Sequence, residues 1–150
     1  IERMTGKRYK NYLPFAMRSK TPIERVQFVD ALLKDPRYAG KVKFVAIDGI
    51  ADFIENTNDL VLSNEIASKV LKWTDELGIH LITVIHKVNG AERPTGHLGS
   101  AVLKKAETTV FVSKEESVVT VTAKYSRNIP FDDFQFRLCP FEHHSFNNLI

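Results

Sequence analysis

A carboxylate, an imidazole and two cations occupy telling places in this chain. Asp48 closes the apolar run "VKFVAID" and is followed by Gly49, His86 closes "IHLITVIH", and Lys124 and Arg127 stand in "AKYSRN". A carboxylate at the end of an apolar strand, freed by a following glycine, can hold the water shell of Mg²⁺ beside nucleotide phosphates. An imidazole at the end of the next strand can sense a phosphate or relay a hydrogen bond into a loop. Cations three residues apart can reach phosphate oxygens from a neighbouring surface. Each group also has a plain structural reading. Asp-Gly is a common turn pair, a strand-end histidine is often a satisfied polar group, and Lys124 with Arg127 describes a solvated strand end.

Other candidates are weaker. Cys139, His143 and His144 in "CPFEHH" offer three metal-binding atoms without a clear fourth, so a terminal surface segment is favoured over a zinc site. Asp52 and Glu55 lie near Asp48, where they can assist a metal or order solvent, but they and Asp132 and Asp133 read first as solvated loop charges. Trp73 falls on an apolar helical stripe and reads as core.

The strand ends matter because of the elements that carry them. Thr21, Pro22 and Glu24 form a helix start, and Ile23, Val26, Val29 and Leu33 recur at helical spacing, predicting a helix over 22–34. "DPRYAG" breaks it. The run over 42–48 then reads as a strand buried on both faces, the pattern of a parallel sheet. Leu62, Ile66, Val70, Trp73 and Leu77, closed by Gly78, predict a helix over 59–77, and 79–86 is a second strand. A strand, a helix and a strand imply a right-handed parallel crossover, which sends Asp48 and His86 to the same sheet edge. Before these lies a short strand at "YLPFAMR". After them come a short helix in "HLGSAVLKKAE", a hairpin from "TTVFVS" and "SVVTVTAK" joined by "KEES", and a final strand in "FQFRL". Val119, Val121 and Ala123 alternate with Thr120, Thr122 and Lys124, giving that strand one wetter face.

Composition sets the outer bounds. A length of 150 residues, 43% hydrophobic and 26% charged, is that of one ordinary globular domain. No run approaches the roughly 20 apolar residues of a membrane helix, and "IERMTGKRYK" lacks the apolar segment of a signal peptide, so a cytoplasmic protein is expected. A single cysteine leaves no internal disulfide framework. The net charge is +3, with Arg3, Lys7, Arg8, Lys10, Arg18 and Lys20 crowding the first twenty positions. Such a patch can meet nucleic-acid phosphates or simply be a solvated surface. Beginning on isoleucine within polar, non-initiating sequence, the chain reads as a fragment of something longer.

Taken in order, "FVAIDGIADF", "LITVIHKVNGAERPTGHLGSAVLKKAE" and "TAKYSRN" resemble the C-terminal part of a RecA-fold P-loop ATPase. The likeness is to RecA/DnaB-like ATPases, including plasmid replicative-helicase types and especially the ATPases of Bacteroides-type mobile elements, in coarse pattern over roughly residues 10 to 138. The resemblance implies an α/β fold with a RecA-like, mainly parallel sheet flanked by helices and ending in an antiparallel hairpin. It implies that Asp48 is the Walker B aspartate, acting on Mg²⁺ through water, and that His86 is the polar sensor on the following strand. The loop from Lys87 to His97, with Lys87, Arg93 and His97 as its basic groups, corresponds to the segment where relatives contact DNA. Lys124 and Arg127 correspond to cations that approach the γ-phosphate of ATP on an adjacent subunit.

The chain departs from that pattern in three respects. No G-x-x-x-x-G-K-[ST] phosphate loop occurs, "RMTGKRYK" does not supply its spacing, and the strand bearing the water-activating glutamate is expected upstream of residue 1. Lys-x-x-Arg also replaces the Lys-x-Arg of the helicase-like branch, in which alternate strand residues face the same way. The expectation is therefore the C-terminal portion of an oligomeric, ATP-dependent, DNA-acting motor or helicase-like protein in mobile-element or plasmid replication or transfer. ATP and Mg²⁺ serve the intact protein, while this chain alone is expected to be inactive and to bind neither tightly. Expected partners are copies of itself, in a ring or filament and foremost a hexamer, and single-stranded DNA, with no membrane. The rival readings are a non-catalytic RecA-like assembly module and a basic DNA-binding fragment.

Overall fold

In the computed structural model, residues 6–88 and 90–137 are described, and the chain divides into two compact units. Met17–Ala106 forms the first. It begins with helix α1, Pro22–Lys34, whose start is set by a complete capping box: the Glu24 N–H donates to Thr21 Oγ1 at 3.3 Å and the Thr21 N–H donates to Glu24 Oε2 at 2.7 Å. Strand β1, Phe44–Asp48, runs into a short 3₁₀ turn, Ile50–Phe53. Helix α2, Leu60–Leu77, is capped by Asp59, which accepts from the Leu62 N–H at 2.9 Å, and ends at Gly78 in the left-handed conformation. Strand β2, His80–Val84, lies parallel to β1 in the register Phe44↔His80 through Asp48↔Val84. Helix α3, Gly96–Lys105, closes the unit. Its core gathers Val29 and Leu33 of α1, Ile47 of β1, Ile50, Phe53 and Ile54 after it, Trp73 of α2, Ile79 and Leu98.

The second unit contains the remaining described residues, those up to Ala16 and from Glu107 onward. Strands β3, Thr108–Glu115, and β4, Val118–Ser126, form a hairpin closed by a two-residue turn in which Glu116 takes a positive φ of 51°. Strand β5, Phe134–Arg137, adds antiparallel to β4. Val119 and Val121 are buried while Thr120 and Thr122 are half-buried, so the expected alternation of β4 holds from Val119 to Thr122 and stops there, Ala123 and Lys124 both being half-buried where the register shifts.

The large RecA-like parallel sheet expected from the sequence is not what forms. The described residues make a two-stranded parallel sheet, β1-β2, and a separate three-stranded antiparallel sheet, β3-β4-β5. A parallel sheet grows only through crossover connections, whereas a two-residue turn after β3 commits the chain to antiparallel pairing. Nor is β1 buried on both faces: Ile47 is its one buried residue, and Phe44 is 57% exposed. An unbroken apolar run records which residues favour a strand, not how many neighbours it acquires. Ile23, expected on the core face of α1, is exposed, while Val29 and Leu33 are buried as expected. Residues 12–18, expected to form a short strand, lie outside any strand or helix.

Candidate functional site

Asp48 is exposed at the carboxyl end of β1, directly beside Val84 at the end of β2. His86 lies two residues beyond Val84 and is also exposed. The strand-helix-strand unit thus delivers a carboxylate and an imidazole to the same end of one parallel pair, where open α/β sheets collect ligand groups. The Asp48–Gly49 peptide is cis. Thr83 Oγ1 donates to the Ile47 carbonyl at 3.2 Å, a side-chain link between β2 and the residue before Asp48.

Two sets of contacts hold the loops that leave these strand ends. After β1, Arg25 reaches across from α1: its Nε donates to the Met17 carbonyl at 3.1 Å, and its guanidinium donates to the Asp52 carbonyl at 2.7 Å and pairs with the Asp52 carboxylate at 3.2 Å. Asp52 is therefore engaged by Arg25. After β2, the His86 carbonyl accepts from both the Thr95 N–H, at 3.0 Å, and Thr95 Oγ1, at 2.8 Å. Lys87 and Pro94 form an antiparallel bridge, and the Val88 N–H donates to the Arg93 carbonyl at 2.9 Å. The segment carrying Lys87 and Arg93 is consequently a small excursion with a closed base. Arg93 and Lys87 are exposed on it, and His97 is exposed on the first turn of α3.

Glycines 96 and 99 let α3 approach this base. Gly96 has φ +70°, and a Cβ there would stand 2.5 Å from the Thr57 carbonyl oxygen; a Cβ on Gly99 would stand 2.6 Å from Pro94 Cβ. The Leu98 N–H donates to that same Thr57 carbonyl at 3.0 Å. Arg25, Thr57, Thr95 and Gly96 are the supporting residues that sequence reading missed. The signal available for the last pair was Thr-Gly immediately before a helical stripe; Arg25 and Thr57 are joined to their partners only by folding.

Lys124 and Arg127 belong to the second unit. Lys124 lies on β4 with its Nζ 5.7 Å from the centroid of the Phe111 ring, and Arg127 follows the end of the strand with its N–H donating to the Glu107 carbonyl at 3.0 Å. Lys7, Lys10, Arg18 and Lys20 of the basic patch include three exposed side chains, with Lys20 half-buried near the Phe28 ring at 5.7 Å. Arg3, Cys139, His143 and His144 lie outside the described residues.

Among the described residues no group of three or more His, Cys, Asp and Glu side chains is placed to hold a metal ion. A lone exposed carboxylate such as Asp48 suits an outer-sphere contact with Mg²⁺, whose remaining oxygens come from phosphates and water. It does not suit a metal cage built by this chain alone. No helix among the described residues is long and apolar enough to cross a membrane. No protein-family model, curated protein or solved structure matches the chain.

Proposed function

We propose that this chain is the C-terminal portion of a cytoplasmic, oligomeric, ATP-dependent motor acting on DNA in mobile-element or plasmid replication or transfer. The observation that carries the reading is the placement of Asp48 at the carboxyl end of a parallel strand pair, in register with the strand that leads to His86. Asp48 would orient the water shell of the Mg²⁺ that accompanies ATP, which is the only chemistry asked of the metal here. His86 would pass the state of the phosphates to the loop it anchors through Thr95, and Lys87, Arg93 and His97 would meet single-stranded DNA. Lys124 and Arg127 would serve the nucleotide of an adjacent copy, with charge-assisted contacts. The 150 residues contain no phosphate loop, so hydrolysis would need one supplied by another part of the protein.

The test uses the complete open reading frame that encodes this chain. Its nucleotide sequence is expected to show a phosphate loop and an acidic strand before residue 1, and the purified product is expected to hydrolyse MgATP. Asp48→Asn and Arg127→Ala should each lower turnover by about 10²-fold or more, the loss typical of removing preorganised charge stabilisation. Turnover unchanged in both variants would remove these residues from the reaction. Partial recovery on mixing the two inactive proteins would place Arg127 in a neighbour's site.

A further inference from the structure

We propose that the exposed turn Tyr9–Tyr12 is a binding site for single-stranded nucleic acid, with Tyr9 and Tyr12 stacking on bases and Arg8 and Lys10 meeting phosphates. The site is separate from the Lys87–His97 loop and stands whether or not that loop meets DNA. Residues 6–16 carry Lys7, Arg8 and Lys10 and no carboxylate. All of them are exposed, and none lies in a helix or strand. Arg25, Lys34, Arg37, Lys69 and Lys72 each pair with a carboxylate, whereas among the described residues Arg8 and Lys10 have no ion-pair partner. Their charge is spent on nothing within the chain and is open to a polyanion.

Charge alone describes a solvated surface. The aromatic residues set this segment apart, because solvation has no use for large rings and these two are not core: Tyr9 is 46% and Tyr12 48% exposed. The Tyr12 N–H donates to the Tyr9 carbonyl at 3.2 Å, closing a turn with Lys10 and Asn11 at its corners. A turn of this kind holds its first and fourth Cα atoms within about 7 Å. Both rings therefore rise from neighbouring points of the backbone, with Arg8 before the turn and Lys10 within it. In a duplex each base is covered by its neighbours, but a single strand presents its bases to aromatic side chains, and stacking tolerates any sequence because every base has a π-face. A lipid surface fits less well, since segments that lie in a membrane interface gather their apolar groups on one side of a helix and this segment forms none.

The test separates bases from phosphates. The 150-residue chain is titrated by fluorescence anisotropy against a labelled oligothymidylate of about 15 nucleotides and against an abasic strand of the same length, which keeps the phosphates and lacks the bases. The oligothymidylate should bind about 10-fold more tightly than the abasic strand. Tyr9→Ala and Tyr12→Ala should each remove most of that preference and leave abasic binding unchanged, while Tyr9→Phe with Tyr12→Phe, which keeps both rings, should stay within about 3-fold of the parent. Arg8→Gln and Lys10→Gln should weaken both strands alike and each lower the salt slope by about 0.7. In a chain carrying Lys87→Gln, Arg93→Gln and His97→Gln the tyrosine dependence should persist, so failure of that loop and failure of this turn are distinct results. Equal affinity for the two strands, or tyrosine variants without effect, would overturn the proposal. So would tyrosine-dependent binding to phosphatidylserine vesicles with no preference for the strand that has bases, which identifies a lipid surface.

Discussion

Asp30 shows how much a single carboxylate can organise. From α1 it accepts a hydrogen bond from Trp73 Nε1 on α2 at 2.9 Å, and it pairs with Lys34 at 2.8 Å and Lys69 at 3.3 Å. Trp73 is 3% exposed, so its indole N–H needs this partner. Asp30→Ala should cost about 1–3 kcal/mol in chemical denaturation, the penalty of a buried donor left unpaired. Asp30→Asn keeps an acceptor for Trp73 and loses only the lysine attraction, and should cost about half as much. The hydrogen bond from Lys34, then that from Trp73, hold the Asp30 carboxyl far below the usual carboxylate range. Because its folded pKa is depressed, its contribution is fully present above the unfolded value of about 4 and is lost as the pH falls towards the folded value. Thermal melts from about pH 6 down to about pH 2 should therefore decline less steeply in Asp30→Asn than in the parent. Trp73 was legible in sequence as a core residue from its place on the helical stripe. Its partner was not, because Asp30 lies 43 positions away and only helix packing brings them together.

At the scale of elements, local chemistry set most boundaries. The helix expected over 22–34 is present with those ends: Thr21 and Glu24 satisfy each other's N–H groups three residues apart, and Pro22 at the first helical position has no N–H to satisfy. Thr21→Ala should cost about 1 kcal/mol in an unfolding titration and fray the first turn of α1. Gly96→Ala should be more damaging, about 2–4 kcal/mol, since a side chain there meets both a left-handed backbone and the Thr57 carbonyl. Hydrogen exchange should locate that damage in the base of the Lys87–Pro94 excursion and the start of α3. Arg25→Met should leave α1 intact yet speed amide exchange in the turn over 50–54, whose Asp52 it anchors. Strand identity was legible from apolar runs, whereas the β-bulge at Lys124 was not: its cause is a mismatch between two strands, visible only once both are paired.

At the scale of the molecule, the parallel pair β1-β2 buries one face and leaves apolar groups on the other, with Phe44 57%, Ile82 45% and Val84 46% exposed. Parallel strands are normally covered on both faces, and a contiguous apolar patch promotes association. The 150-residue chain should accordingly self-associate with rising concentration in sedimentation velocity, and Ile82→Thr with Val84→Thr should reduce that association while retaining β propensity. By itself the sequence determined the helices, through caps and 3.6-residue periodicity, and the strands, through apolar runs. It also determined that Asp48 ends the first of two parallel strands, since a strand-helix-strand order brings their ends together, whereas the second strand stops at Val84, two residues short of the expected His86. Among the described residues, tertiary structure alone decided that the parallel sheet has two strands, that the hairpin joins β5 in a separate antiparallel sheet, and that the β3–β4 register shifts by one residue at Lys124. The division has a physical cause: capping and periodicity act over three or four residues, while strand pairing and bulges depend on which distant backbone meets which.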